Sequence, residues 1–254
     1  MSDLKVVTNY INGKWVSPSS GKLLDIENPS TGEVIGQVEL SGAAEADLAV
    51  DAAKAAFGPW SNTPLPQRVS YLYALRGLLL ENQEEISRTL SAEMGKSLPD
   101  SRAEMKRVLQ NIEAACGMPI LQHGDKMIGS AAGIDGEVIR LPLGVFAAIT
   151  PFNFPAMAPF WFIPYALATG NTFILKPSEQ VPLTMALVSE YIDRIGLPAG
   201  VFNLVNGDKA AAEALVANPD VKGVSFVGKS STCRVVASAC VAAGKRHQAM
   251  GSAK

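Results

Sequence analysis

Asn153 stands between two phenylalanines and two prolines in Thr150-Pro151-Phe152-Asn153-Phe154-Pro155, so its side-chain amide sits on a stiffened loop. A fixed N–H donor of that kind can steady an oxyanion when a carbonyl carbon is attacked. The same side chain can instead cap the helix that follows, and the residues alone leave both uses open. Lys176-Pro177-Ser178-Glu179 places a cation and a carboxylate three residues apart. A carboxylate at a strand end can accept from ribose 2′- and 3′-hydroxyls and repel a 2′-phosphate; a solvent-exposed ion pair is the plainer alternative. Two more polar clusters, Asn206-Gly207-Asp208 and Gly228-Lys229-Ser230, also follow apolar runs.

One pattern misleads. Residues 223–230, GVSFVGKS, fit GxxxxGK[ST] letter for letter. A phosphate loop comes after its strand, whereas here VSFV is itself strand-like and leaves no loop to wrap a triphosphate. Gly228 to Ser231, ahead of a helix, can still offer backbone N–H groups to a diphosphate. The first strand-to-helix turn, AITPFNFP, lacks GxGxxG, which disfavours an ordinary Rossmann dehydrogenase. Cys116, Cys233 and Cys240 form no CxxC pair, and His123 and His247 lack ligand spacing, so no metal site or disulfide set is expected. Cys233 and Cys240, seven apart, share a helical face with Val236, Ala237 and Val241 and read as buried small residues.

The elements that must position these groups fall into three runs. The first forty residues read as short strands, with Asn12-Gly13, Asn28-Pro29 and Thr31-Gly32 as turns. From Ala43 to about Leu121, apolar residues recur at three- and four-residue steps, giving AEADLAVDAAKAAF, then one long segment LPQRVSYLYALRGLLLENQEEISRTLSAEMG, then a helix starting at Pro99-Asp100. A glycine-rich connection with Gly129 and Gly133 leads into strict alternation: GVFAAIT, TFILK, VFNLV, GVSFV and HQAMGSA as strands, with helices PAMAPFWFIPYALATG, LTMALVSEYIDRIG, KAAAEALVANP and SSTCRVVASACVAAG between them. Such alternation means α/β architecture, a parallel doubly wound sheet with helices on both faces, and ligands at the carboxyl ends of the strands. The expected division is 1–133 for the strands and helical layer and 134–254 for the α/β section.

The chain has 254 residues, 48% hydrophobic and 18% charged, with formal charge −2. Those values suit a soluble globular protein, and no basic run points to nucleic acid or an anionic membrane. MAPFWFIPYALA is too short to span a bilayer and contains Pro159 and Pro164; MSDLKVVTNY has no signal-peptide core. A cytoplasmic protein, or one of an organelle matrix after removal of a targeting segment, is expected, with small molecules and other subunits as partners.

TPFNFP, GNTFILKPSE, GLPAGVFNLVNG and VSFVG occur in the order and at the intervals of the aldehyde dehydrogenase superfamily, whose signatures P-[WF]-N-[FY]-P and KPSE they resemble. The resemblance runs from NYINGKWV to the last residue. It implies an aldehyde dehydrogenase-like fold whose five-stranded domain binds NAD without GxGxxG. Carried over by position, Asn153 is the oxyanion amide, Lys176 and Glu179 contact the adenosine ribose, and Thr150 and Phe152 line the nicotinamide side. Gly207, Phe226 and Gly228 belong to the adenine and diphosphate region, and Ser178 and Gly251 complete the cofactor set. Lys229 stands where the family usually has Ser, so its ammonium or Ser230 would replace that contact. Phe152 in place of the usual Trp, KRHQAMGSAK, and MKRVLQNIEAACGMP are similar to methylmalonate-semialdehyde dehydrogenases, the CoA-acylating type. Ala249 falls where most members carry the Glu that activates water, which suits resolution of the acyl-enzyme by CoA thiol. Arg107 is then the candidate for the substrate carboxylate, with a solvated helix arginine as the alternative. The resemblance further implies a homo-oligomer, an aldehyde and CoA as substrates, and a catalytic cysteine beyond Lys254. A chain lacking it is expected to be inactive alone: a piece of a longer enzyme or a non-catalytic NAD-binding or subunit-interaction remnant.

Overall fold

The short strands at the start form two hairpins. β1 (Val6–Val7), β2 (Asn9–Ile11), β3 (Lys14–Val16), β4 (Leu23–Glu27) and β5 (Val34–Glu39) open the computed structural model, which describes residues 4–252. Asn12 and Gly13 take φ of 53° and 71°, which lets β2 reverse into β3 within two residues. β4 and β5 pair antiparallel, and β1 joins β5 in a separate three-stranded sheet.

Helices follow: α1 (Ala43–Asn62), α2 (Leu65–Glu81), α3 (Gln83–Met94), α4 (Leu98–Cys116) and α5 (Met118–Leu121). The long segment expected from Leu65 to Gly95 is two helices, because Asn82 leaves helical geometry and its amide donates to the Leu78 carbonyl at 2.8 Å. Asparagine competes in this way with the helix ladder. α4 starts one residue earlier than Pro99, where the Ser97 hydroxyl accepts from the Asp100 amide. The glycine-rich connection is a third hairpin, β6 (Lys126–Ala131) and β7 (Ile134–Glu137), almost wholly exposed, with Gly129 and Gly133 at positive φ.

The alternating section gives β8 (Val145–Ile149), α6 (Met157–Phe160), α7 (Ile163–Ala168), β9 (Thr172–Lys176), α8 (Leu183–Arg194), β10 (Phe202–Leu204), α9 (Lys209–Ala217), β11 (Val221–Val227), α10 (Ser230–Ala242) and β12 (Arg246–Met250). The single apolar helix expected after β8 is broken into α6 and α7 at Trp161-Phe162, next to Pro164, which has no N–H to continue a ladder. The five strands are parallel in the order β12-β11-β8-β9-β10. β2 and β3 extend this sheet antiparallel from the β10 edge, making seven strands rather than a separate opening layer. The boundary expected between residues 133 and 134 falls at the tip of the β6–β7 hairpin.

Successive strand residues serve opposite cores, as the pleat requires. Phe173 and Leu175 pack with Leu72, Leu75, Ile86 and Phe160 on the face covered by α2–α4 and α6–α8. Ile174 packs with Ala49, Val50, Leu215 and Val236 beneath α1, α9 and α10. Each large side chain so buried contributes about 1.5–3 kcal/mol. Among the described residues no helix is long and apolar enough to cross a membrane.

Candidate functional site

The strand order reverses around β8: β9 lies on one side and β11 on the other, so the loops leaving β8 and β11 diverge at a switch point. A cleft of about 430 Å³ opens there, lined by Thr150 and Phe152 after β8, Lys176, Ser178 and Glu179 at the end of β9, and Phe226, Gly228 and Lys229 at the end of β11. Eight of the expected site residues therefore share one rim of the sheet. The larger cleft, about 800 Å³ between α7 and the face of β8, β11 and β12, contains none of them.

Each residue is held by local structure. Lys176, the last residue of β9, is 5% exposed, and its ammonium donates to Glu179 Oε2 at 3.0 Å. The pair is thus no solvated surface bridge: the lysine is buried at the cleft floor, and the glutamate is one-third exposed at the mouth. Ser178 shapes the turn between them, its hydroxyl accepting from the Gln180 amide at 3.3 Å. Thr150 is buried and its hydroxyl has no partner among the described residues. Lys229 precedes the first turn of α10 and is exposed, with no side-chain cap on the helix. The leading amides of α10 are therefore open to an anion.

Four expected residues lie off the cleft lining. Ser230 accepts from the Ser252 amide at 3.1 Å, and a Cβ on Gly251 would stand 3.0 Å from its hydroxyl, so these two close the end of β12 against the start of α10. Gly207 is buried where the chain crosses Ser41; a Cβ there would stand 2.7 Å from the Ser41 carbonyl. Arg107 is exposed on α4, bonded to Gln110 at 3.1 Å, and does not line the cleft.

Asn153 follows Phe152 and is half-buried. It does not cap α6, whose start has no local side-chain cap. Its amide oxygen is fully buried and has no partner among the described residues. The amides of Ala156 and Met157 at the start of α6 are instead taken by Glu104 Oε1, at 2.9 Å each. Glu104 also pairs with Lys96, whose ammonium donates to the Asn153 carbonyl at 3.0 Å. Sequence reasoning passed over both residues, although Glu104 falls on the buried stripe of α4 with Ser101, Met105 and Val108, where a lone carboxylate needs a reason.

The remaining candidates are structural. β11 runs straight through GVSFV, and Gly223 packs flat on the Phe146 ring, so no phosphate loop forms. Cys116, Cys233 and Cys240 are buried on α4 and α10, where burial pushes their thiols up, and none lines the cleft.

Comparison with known proteins bears on the fold and the family. Malonate-semialdehyde dehydrogenase 1 of Oceanobacillus iheyensis is 45% identical over 253 residues, which is 100% of this chain and 52% of the relative. Methylmalonate-semialdehyde dehydrogenase from Oceanimonas doudoroffii superposes with a TM-score of 0.95 at 39% identity, covering 99% of this chain and 51% of that one. A Sinorhizobium meliloti protein, solved with NAD under the provisional name methylmalonate-semialdehyde dehydrogenase, gives a TM-score of 0.96 at 41% identity, covering 100% and 52%. The chain spans about half the length of the curated relatives it matches. The family model for the aldehyde dehydrogenase family matches residues 15–254, and with this fold and these signatures the chain belongs to the aldehyde dehydrogenase family.

Proposed function

We propose that this chain supplies the NAD-binding and oxyanion-stabilising part of an aldehyde dehydrogenase acting on malonate or methylmalonate semialdehyde, with CoA taking the acyl group. The reading is carried by the convergence of Thr150, Phe152, Lys176, Glu179, Phe226 and Lys229 on one cleft at the carboxyl ends of the strands. The names of the relatives support the substrate class, and the neighbour solved with NAD supports the cofactor.

The residues fit a dinucleotide. Glu179 and Lys176 offer an acceptor and a donor to ribose hydroxyls, and the carboxylate disfavours a 2′-phosphate. Lys229 and the open amides of α10 suit a diphosphate, while Phe152 and Phe226 give apolar walls. NAD, when bound, accepts hydride from the aldehyde carbon. Asn153 donates its amide N–H to the oxygen that becomes negative when the carbonyl is attacked. Ala249 on β12 provides no carboxylate to activate water, in keeping with a thiol as acyl acceptor. Arg107, which bonds Gln110 and no carboxylate among the described residues, remains the candidate for the substrate carboxylate.

The nucleophile is not expected from this chain's cysteines, all buried away from the cleft, so the 254-residue polypeptide should bind NAD without turnover. The exposed β6–β7 hairpin, with Met127, Ile128 and Ile134 bare, suits pairing with another subunit of a homo-oligomer, and the setting we infer is cytoplasmic. Calorimetric titration with NAD tests the reading. Saturable binding weakened about tenfold or more by Lys176→Met supports it, and a folded chain that takes no NAD overturns it. NADH formation from propanal and CoA by the purified chain would refute the absence of turnover.

A further inference from the structure

The second half of the loop between β8 and α6 is gripped by one buried ion pair from the helical layer. Lys96 lies just beyond α3 and Glu104 on α4, and their side chains are 12% and 1% exposed. Lys96 donates to Glu104 Oε2 and to the Asn153 carbonyl, and its ammonium stands 4.4 Å from the centre of the Phe154 ring. Glu104 Oε1 takes the amides of Ala156 and Met157. The pair therefore touches residues 153, 154, 156 and 157, from the Asn153 carbonyl to the first turn of α6.

We propose that Lys96 and Glu104 are positioning residues for the Asn153 amide, fixing where its N–H points by holding the Asn153 carbonyl and the turn that follows it. Their purpose rests on the oxyanion reading of Asn153; their grip on the loop does not. A buried ion pair adds little net stability over apolar residues of similar size, so direction is what this one contributes. Two prolines stiffen the loop but leave the carbonyl of Asn153 free to rotate, and Lys96 is the donor that stops it. An oxyanion donor misplaced by a fraction of its bond length loses most of its effect.

Hydrogen exchange on the purified 254-residue chain, read peptide by peptide alongside thermal unfolding, tests the proposal. Lys96→Met removes the donor to Asn153 and leaves Glu104 bonded to the amides of Ala156 and Met157. Glu104→Gln keeps an oxygen for the two amides but turns an N–H₂ toward Lys96 and releases it. Each should raise exchange at the bonded amides of the turn, Ala156, Met157 and Ala158, about tenfold or more, while Lys96→Arg stays within about threefold of the parent. The double variant should be no worse than either single one, because both break the same link. Unchanged exchange at these amides, additive effects, or loss of protection across the whole chain in both single variants would overturn the proposal. NAD titration separates the two readings. A parent that binds no NAD but shows the exchange pattern loses the function and keeps the clamp, whereas a parent that binds NAD with exchange unmoved loses the clamp.

Discussion

Gly228 lies so close to Phe226 that a Cβ built on it would stand 2.7 Å from the far edge of the ring. The ring fills the space a side chain would need and at the same time forms one wall of the cleft. Glycine at this position is thus a packing requirement of the site and not a matter of backbone freedom, since its φ is ordinary.

Gly228→Ala should push the Phe226 ring into the cleft. We expect a stability loss of about 1–3 kcal/mol, as for other overpacked sites, together with weaker NAD binding. Gly207→Ala should destabilise similarly by crowding the Ser41 carbonyl, which lies away from the cleft. Urea unfolding and NAD calorimetry on both variants separate them: an equal loss of affinity would mean that Phe226 is no wall of the binding site.

Glu179→Gln should change cofactor choice more than affinity. Removing the carboxylate at the mouth relieves repulsion of a 2′-phosphate while leaving an amide to bond the ribose. Binding of NADP should gain about tenfold relative to NAD, equivalent to about 1.4 kcal/mol. Parallel titrations with the two dinucleotides measure the ratio, and an unchanged ratio removes Glu179 from the ribose site.

Glu93 ties the helical layer to α8 through the amides of Leu183 and Thr184, at 2.7 and 3.0 Å. Burial pushes its carboxyl up to about 7, against the amides, which favour its charge. A raised carboxyl binds its proton more tightly folded than unfolded, so its contribution to stability is complete below the ordinary value of 4.5 and is lost as pH rises through 7. Between those values unfolding free energy should fall by on the order of 1–3 kcal/mol from this group. Glu93→Gln should flatten that slope, at a cost of about 1 kcal/mol at the acid end. Denaturation midpoints from pH 4.5 to 8 provide the test; a slope that survives the substitution belongs to another group.

Arg68 is buried with no carboxylate partner among the described residues and donates to the carbonyls of Ala168, Ser61 and Thr63. It ties the junction of α1 and α2 to the end of α7, where helix carbonyls lack partners of their own. Arg68→Met should leave these oxygens unpaired in the interior and cost about 1–3 kcal/mol. Chemical denaturation measures it; a loss below about 0.5 kcal/mol would show that water replaces the guanidinium readily.

Much was legible in the sequence because the signals are local. Asn12-Gly13 dictates a turn through its positive φ, the β8 to β11 runs are mainly apolar on both faces as a buried parallel sheet demands, and the strand-end motifs name the family. Helix breaks were less visible. Asn82 and the Trp161-Phe162 link interrupt segments whose apolar periodicity runs on regardless, since periodicity records which face is buried and not whether the ladder is continuous.

The sequence by itself determined the family, the order of strands and helices along the chain, and the residue types that face the cleft. Only the tertiary structure decided that β2 and β3 lengthen the parallel sheet, and that Asn153 is held from Lys96 and Glu104, the latter 49 residues before it in the chain, in place of capping its own helix. Local conformational preference acts over a few residues, whereas an edge strand's partner and a buried carboxylate's donors are set by whatever the completed packing brings within hydrogen-bond reach.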